Sequence, residues 1–128
     1  MKKSLIEKGA RSIWNDNSEY ESVDDRGAYC DFDGKGSNFD ELKPVLALLM
    51  SQASYEALHE ANPNLRPFVI NRSGYAGFQK YASSWSGDNM MDWKTIRYNI
   101  STILNIGLCG VANYGCDIGG FFGPAPSA

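Results

Sequence analysis

Histidine and cysteine are scarce in this 128-residue sequence, which has one histidine, His59, and three cysteines, Cys30, Cys109 and Cys116. With one imidazole, neither a histidine metal cluster nor a Ser-His-Asp or Cys-His arrangement can be assembled inside the chain. The cysteines form no CxxC pair and cannot all pair with one another, which fits a reducing compartment better than a disulfide framework. A cytoplasmic location is expected, and the sequons Asn71-Arg72-Ser73 and Asn99-Ile100-Ser101 are expected to carry nothing. A basic surplus is also missing. Twelve Lys and Arg stand beside fifteen Asp and Glu, a net charge of −3, with no basic run longer than Lys2-Lys3. That lacks the electrostatic footprint of a phosphate-backbone binder, so no nucleic-acid partner is expected. Met1 to Ser12 lacks the apolar stretch of a signal peptide, and no segment approaches the roughly 20 apolar residues of a membrane span. Repeats and low-complexity segments are absent too. Finally, the chain falls short of the roughly 250 residues of an eight-stranded β/α barrel and could hold only about half of one.

What is present is a soluble, globular mix, with 43% apolar and 21% charged residues. Ser12-Ile13-Trp14 reads as a short strand that runs into the polar stretch Asn15-Asp16-Asn17-Ser18-Glu19. From Tyr20 to Phe39 the Gly- and Asp-rich sequence predicts a long loop, with turns at Asp24-Asp25-Arg26-Gly27 and Asp33-Gly34-Lys35-Gly36. Leu42, Val45, Leu46, Leu49, Ala53 and Ala57 recur at helical spacing, predicting an amphipathic helix over 42–61 that Asn62-Pro63-Asn64 stops. Pro67-Phe68-Val69-Ile70 predicts a strand that ends in Asn71-Arg72-Ser73-Gly74. Tyr81 to Trp85 predicts another, leading into Ser86-Gly87-Asp88-Asn89. Asp92 can cap a second helix with Trp93, Ile96, Ile100, Ile103 and Leu104 on one side, closed by Gly107. Val111 to Tyr114 reads as a last strand, before Gly115-Cys116-Asp117-Ile118-Gly119-Gly120.

Strands alternating with helices argue for parallel β/α units. In such folds ligands bind at the carboxyl ends of the strands, so Asp16, Arg72, Asp88 and Asp117 are expected to converge on one rim. Two carboxylates flanking a scissile bond are the apparatus of glycoside hydrolysis, one as nucleophile or base and one as proton donor. A third carboxylate and a guanidinium suit sugar hydroxyls, and Trp14, Trp85, Phe121 and Phe122 could cover a pyranose ring. Each residue taken singly also has a plain reading: the aspartates as turn residues, Arg72 as a salt-bridge partner, Trp14 and Trp85 as core. Other motifs fail. Asp31-Phe32-Asp33-Gly34 is no calcium loop, because Lys35 and Leu42 stand where oxygen ligands are needed. Gly34-Lys35-Gly36 lacks the length and ending of a P-loop.

Three ordered blocks resemble glycoside hydrolase family 31, the α-glucosidase and α-xylosidase family. They are Trp14-Asn15-Asp16-Asn17-Ser18-Glu19-Tyr20; Arg66 to Gly74, continued by Trp85-Ser86-Gly87-Asp88-Asn89; and Gly115-Cys116-Asp117-Ile118-Gly119-Gly120-Phe121. The Arg72–Asp88 and Asp88–Asp117 intervals also match that family's. The resemblance implies a partial (β/α)8 TIM barrel, roughly strands 4 to 7, with residues 1–128 as one fragment of the catalytic domain. It implies a retaining α-glycosidase acting at the non-reducing end of α-glucosides or related sugars. Asp16 would be the nucleophile and Asp88 the acid/base, with their carboxyls about 5–5.5 Å apart. Trp14, Arg72, Trp85, Asp117 and Phe121 would bind substrate, and neither metal nor organic cofactor is required. Ser18 stands where the family usually has asparagine and is expected to loosen the hydrogen bonding of the nucleophile loop; Cys116 replaces alanine or histidine. The shortness leaves two expectations open. The chain is either the core of such an enzyme, completed by sequence or a partner that supplies the rest of the barrel, or a truncated, inactive remnant that at most binds saccharide or self-associates.

Overall fold

Three of the short apolar runs become strands of three residues, the last, expected over Val111 to Tyr114, pairs only at Tyr114–Gly115, and two longer periodic segments become helices. The computed structural model describes residues 2–20, 27–31, 33–124 and 127. These form two compact units, residues 1–82 and 83–128.

In the first unit a wide helical turn, Lys2–Ile6, precedes β1 (Ile13–Asn15). A two-residue antiparallel ladder follows, β2 (Tyr29–Cys30) against β3 (Ser37–Asn38), and then α1 (Phe39–Ala61), β4 (Val69–Asn71) and a 3-10 turn, Phe78–Lys80. The segment expected to be a plain loop therefore holds a small hairpin, turned by Asp31, whose carboxylate accepts the Gly34 N–H at 3.2 Å. The turn expected at residues 24–27 lies largely outside the described residues. Strands β1 and β4 are parallel, with Ile13 opposite Val69, Trp14 opposite Ile70 and Asn15 opposite Asn71. Helix α1 makes the crossover between them, a β/α/β unit as the alternation predicts.

Ile6, Ile13, Leu58 and Val69 form the core of this unit, flanked by Tyr55, Ala57, Ala61 and Ala82. Burial of such side chains contributes about 1.5–3 kcal/mol each. Two features of α1 differ from expectation. The helix starts at Phe39, three residues early, and carries Pro44 inside it. Its buried seam is Ala47, Ser51, Ser54 and Leu58, while Leu49 is exposed. The strand residues that this seam meets explain the choice. Asn15 and Asn71 are 8% and 0% exposed, so small hydroxyl-bearing residues serve better there than leucines. The Asn15 amide donates to Ser54 Oγ at 3.0 Å, and the Ser54 hydroxyl lies 3.2 Å from Asn15 Oδ1. Ser51 instead bonds back to the Ala47 carbonyl at 2.9 Å.

The second unit repeats the pattern with β5 (Ser83–Trp85), α2 (Trp93–Leu108) and β6 (Tyr114–Gly115). Strands β5 and β6 are parallel, Ser84 opposite Tyr114 and Trp85 opposite Gly115. Asp92 caps α2 as predicted, its carboxylate accepting the Thr95 N–H. This bond holds the Asp92 carboxyl below the ordinary aspartate value of 3.8. Gly107 does not close the helix. It lies within α2, and the left-handed residue that turns the chain is Gly110, at φ +84°, followed by a Val111 N–H to Ile106 carbonyl bond of 3.2 Å. Of the apolar side expected on α2, Trp93, Ile100 and Leu104 are exposed. Both sequon asparagines, Asn71 and Asn99, are buried. Cys30, Cys109 and Cys116 are free thiols. Among the described residues no helix is long and apolar enough to cross a membrane.

Candidate active site

The register of β1 and β4 brings the first two predicted site residues together. Asn15 faces Asn71 at the last paired position, so the next residues, Asp16 and Arg72, leave the strand ends side by side. The Arg72 N–H still bonds the Asn15 carbonyl at 3.0 Å, which extends the parallel ladder to the site. From there the guanidinium and the carboxylate meet, with Arg72 Nη1 3.1 Å from Asp16 Oδ1.

Arg72 is held by more than Asp16. Its Nε donates to Glu19 Oε1 at 2.9 Å and its Nη2 to Glu19 Oε2 at 3.0 Å, a parallel fork of the strong bidentate type. Nη2 also donates to Asn17 Oδ1. Asn17 has φ +51°, a left-handed turn that asparagine tolerates and that folds the post-β1 segment back over the guanidinium. Asp16 Oδ1 accepts a second bond, from the Asn17 N–H at 2.9 Å. Both contacts fall on Oδ1, and no bond to Oδ2 is seen among the described residues.

Ser18 does not loosen this arrangement. It is 1% exposed, its hydroxyl accepts the Ser73 N–H at 3.1 Å, and it lies 3.0 Å from Ser73 Oγ. The substitution thus ties the post-β1 segment to the post-β4 segment beside Arg72, because a short hydroxyl fits a buried space between two backbones. Asn71 is fixed from below by the Ser73 and Ala47 carbonyls, which its amide meets, while its Oδ1 has no partner among the described residues. A cavity of about 350 Å³, bordered by Glu19, Asp40, Lys43, Pro44 and Ser73, opens beside the cluster. Asn17, Ser18, Glu19 and Ser73 were not singled out as site residues from sequence; the one signal for Glu19 is that a partly buried arginine needs a carboxylate. Trp14 lies on the face of β1 away from the core and is 67% exposed, which removes its core reading.

The remaining predicted residues belong to the second unit. Trp85 ends β5 and is partly buried. Asp88 follows in a turn built by Asn89, whose amide reaches Ser86 Oγ at 2.7 Å, the Gly87 carbonyl at 3.0 Å and the Ser86 carbonyl at 3.2 Å. Buried Gly87, at φ +74°, makes that turn possible. Asp117 lies two residues beyond β6 in a turn closed by the Gly120 N–H on its carbonyl at 3.0 Å. The chain after it returns to the Asp88 turn: the Phe121 N–H donates to the Asn89 carbonyl at 2.7 Å, and the Met91 N–H to the Phe122 carbonyl at 2.8 Å. Asp88 and Phe121 are thereby fixed in neighbouring segments, both exposed. Nearby, burial raises the Tyr114 phenol above 10.0, with the charges of Tyr98 and Cys116 adding to it. Among the described residues no group of three or more His, Cys, Asp or Glu is placed to hold a metal ion.

Comparison with known proteins places the chain in one family. The "Glycosyl hydrolases family 31 TIM-barrel domain" matches residues 1–128. The chain is 35% identical over 118 residues to alpha-glucosidase 2 of Bacillus thermoamyloliquefaciens, covering 88% of this chain and 15% of that protein. It is 33% identical over 90 residues to the alpha-glucosidase of Saccharolobus solfataricus, covering 70% of this chain and 13% of that protein. Among solved structures, a family 31 alpha-xylosidase from a soil metagenome, complexed with xylose, superposes with a TM-score of 0.81 at 30% identity, over 95% of this chain and 18% of that one. A family 31 dextranase of Flavobacterium johnsoniae, complexed with glucose, gives 0.73 at 29% identity, over 90% and 15%. The chain thus spans less than a fifth of the length of these relatives. Its β/α units, which the alternation implied, are part of a TIM barrel, as the resemblance implied.

Proposed function

Since the chain belongs to glycosyl hydrolase family 31, we propose that it carries the catalytic residues of a retaining α-glycosidase of the α-glucosidase type. The substrate on this reading is an O-linked α-glucoside or related sugar, cleaved at its non-reducing end. The observation that carries the reading is the state of Asp16: one carboxylate oxygen is anchored by Arg72 and the Asn17 N–H, and the other is left for chemistry.

In the proposed reaction Asp16 Oδ2 attacks the anomeric carbon as Asp88 donates its proton to the leaving glycosidic oxygen. The bond from carbon to that oxygen breaks, the alcohol departs, and the sugar is left as an ester on Asp16. The Asp88 carboxylate then takes a proton from water, whose oxygen attacks the same carbon and releases Asp16. Two displacements on one face and then the other return the original anomeric configuration. Trp14, Trp85 and Phe121 offer apolar faces for a pyranose ring, and Asp117 a carboxylate for its hydroxyls.

The test is covalent trapping. The 128-residue chain is incubated with a 5-fluoro α-glucosyl fluoride, whose good leaving group forms the ester and whose ring fluorine slows its hydrolysis. Intact-mass and peptide analysis should find one glycosyl adduct on the peptide holding Asp16, absent in Asp16→Asn. An adduct elsewhere, or one that survives Asp16→Asn, refutes the assignment of the nucleophile; no adduct at all refutes the competence of this chain by itself.

A further inference from the structure

Arg72 is engaged chiefly with its own chain, and this changes what it can do in the proposed reaction. A guanidinium is planar, and its five N–H vectors are fixed relative to one another. One edge, Nε and Nη2, is taken by both oxygens of Glu19, and Nη2 is shared with Asn17 Oδ1. With that edge fixed, the plane cannot rotate, and Nη1 must point where it does, at Asp16 Oδ1. Arg72 and Glu19 side chains are only 16% and 26% exposed, whereas that of Asp16 is 43% exposed. The rigid part of the cluster is therefore the arginine–glutamate fork, and the accessible part is the carboxylate it aims.

We propose that Glu19 is a positioning residue that locks the Arg72 guanidinium, so that Arg72 pins Asp16 Oδ1 and presents Oδ2 to the anomeric carbon. The proposal rests on the reading of Asp16 as the nucleophile. Arg72 then acts on the nucleophile before it acts on sugar hydroxyls. The post-β1 segment supplies Asp16, Asn17 and Glu19 as partners of Arg72, so a single four-residue stretch carries both the reacting group and the device that orients it.

The experiment has two arms, both on the full 128-residue chain. In the first, 15N-arginine labelling identifies the Arg72 Nε–H by its loss in Arg72→Lys, and a 13C label reports the Asp16 carboxyl. Glu19→Gln keeps the shape of the side chain but removes one acceptor and the charge. It should speed exchange of the Arg72 Nε–H by about tenfold or more and move the Asp16 carboxyl signal, with the Val69–Asn71 amides unchanged. Glu19→Asp retains both acceptors on a shorter arm and should restore part of the protection. An unchanged Nε–H, or an unmoved Asp16 signal, overturns the proposal. In the second arm, the fluorosugar trap separates rate from affinity. Glu19→Gln should lower the labelling rate constant by roughly tenfold to a hundredfold with little change in the half-saturating concentration. Weakened saturation at an unchanged rate would make the pair a sugar-binding element and overturn the proposal. If the wild-type chain is not labelled, the competence of this chain by itself fails, and the spectroscopic arm alone decides the role of Glu19.

Discussion

Replacing Ser54 by alanine should destabilise the first unit far more than the loss of one hydroxyl suggests. Ser54 is fully buried and Asn15 is 8% exposed, and the two side chains exchange contacts at 3.0 and 3.2 Å. Ser54→Ala leaves both polar ends of the Asn15 amide buried without that partner, a penalty of about 1–3 kcal/mol. For a unit of this size about 2 kcal/mol corresponds to a fall in Tm of roughly 8–16 °C. The reverse change, Asn15→Leu, should cost less, because the Ser54 hydroxyl can bond back to the carbonyl one helical turn earlier, as Ser51 already does. The double variant should return to within about 1 kcal/mol of the parent, since removing both polar partners leaves nothing unsatisfied. Urea unfolding followed by far-ultraviolet circular dichroism gives the global values, and amide exchange at Val69–Asn71 reports on β4 itself. A Ser54→Ala variant within about 0.5 kcal/mol of the parent, or a double variant whose cost equals the sum of the singles, would refute the reasoning.

Two further outcomes test the second unit. Because the Thr95 N–H bond holds the Asp92 carboxyl below 3.8, the cap is complete above that value and is lost as pH falls through the lowered one. Thr95 amide protection should therefore drop between roughly pH 5 and pH 2, whereas Asp92→Asn, which keeps an acceptor, should flatten the dependence. In the loop after β6, Gly120→Ala would place a methyl 2.4 Å from the Met90 carbonyl oxygen at φ +101°. It should cost about 1–3 kcal/mol or more and release the Phe121 and Phe122 contacts, while Gly119→Ala, with nothing within 4 Å, should cost only the strain of its left-handed φ. Equal effects at the two glycines, read by thermal unfolding, would show that steric contact with Met90 is not the cause.

The first three strands of the β/α units and both helices were legible because most of their ends are marked, whereas the last strand pairs at Tyr114–Gly115 and not over Val111 to Tyr114. Apolar runs stop at Asn15 and Asn71, Asn62-Pro63 ends α1, and Asp92 opens α2. The hairpin at Tyr29–Cys30 and Ser37–Asn38 was not, since two-residue strands carry no period. The buried seam of α1 was misread for a related reason: hydrophobic periodicity selects Leu42, Leu49 and Ala53, whereas the strands present Asn15, which bonds Ser54, and Asn71, which meets the Ala47 carbonyl. Gly107 and Gly110 are chemically alike, and only backbone conformation tells which one turns the chain. At the site, strand ends predicted Asp16 beside Arg72, but the role of Glu19 emerges only when the guanidinium is placed and its donors are followed to their acceptors.

The Asp16–Arg72–Glu19 cluster can also be counted as charge. Two carboxylates share one guanidinium, leaving a formal surplus of one negative charge at the end of β1. A neutral glucoside in its ground state has little to gain from that surplus. A sugar ring on its way to an oxocarbenium ion does, and the gain grows as positive charge develops beside Asp16. Under the proposed chemistry, the ion cluster therefore lowers the barrier without tightening substrate binding, because its attraction exists mainly while the glycosidic bond is breaking.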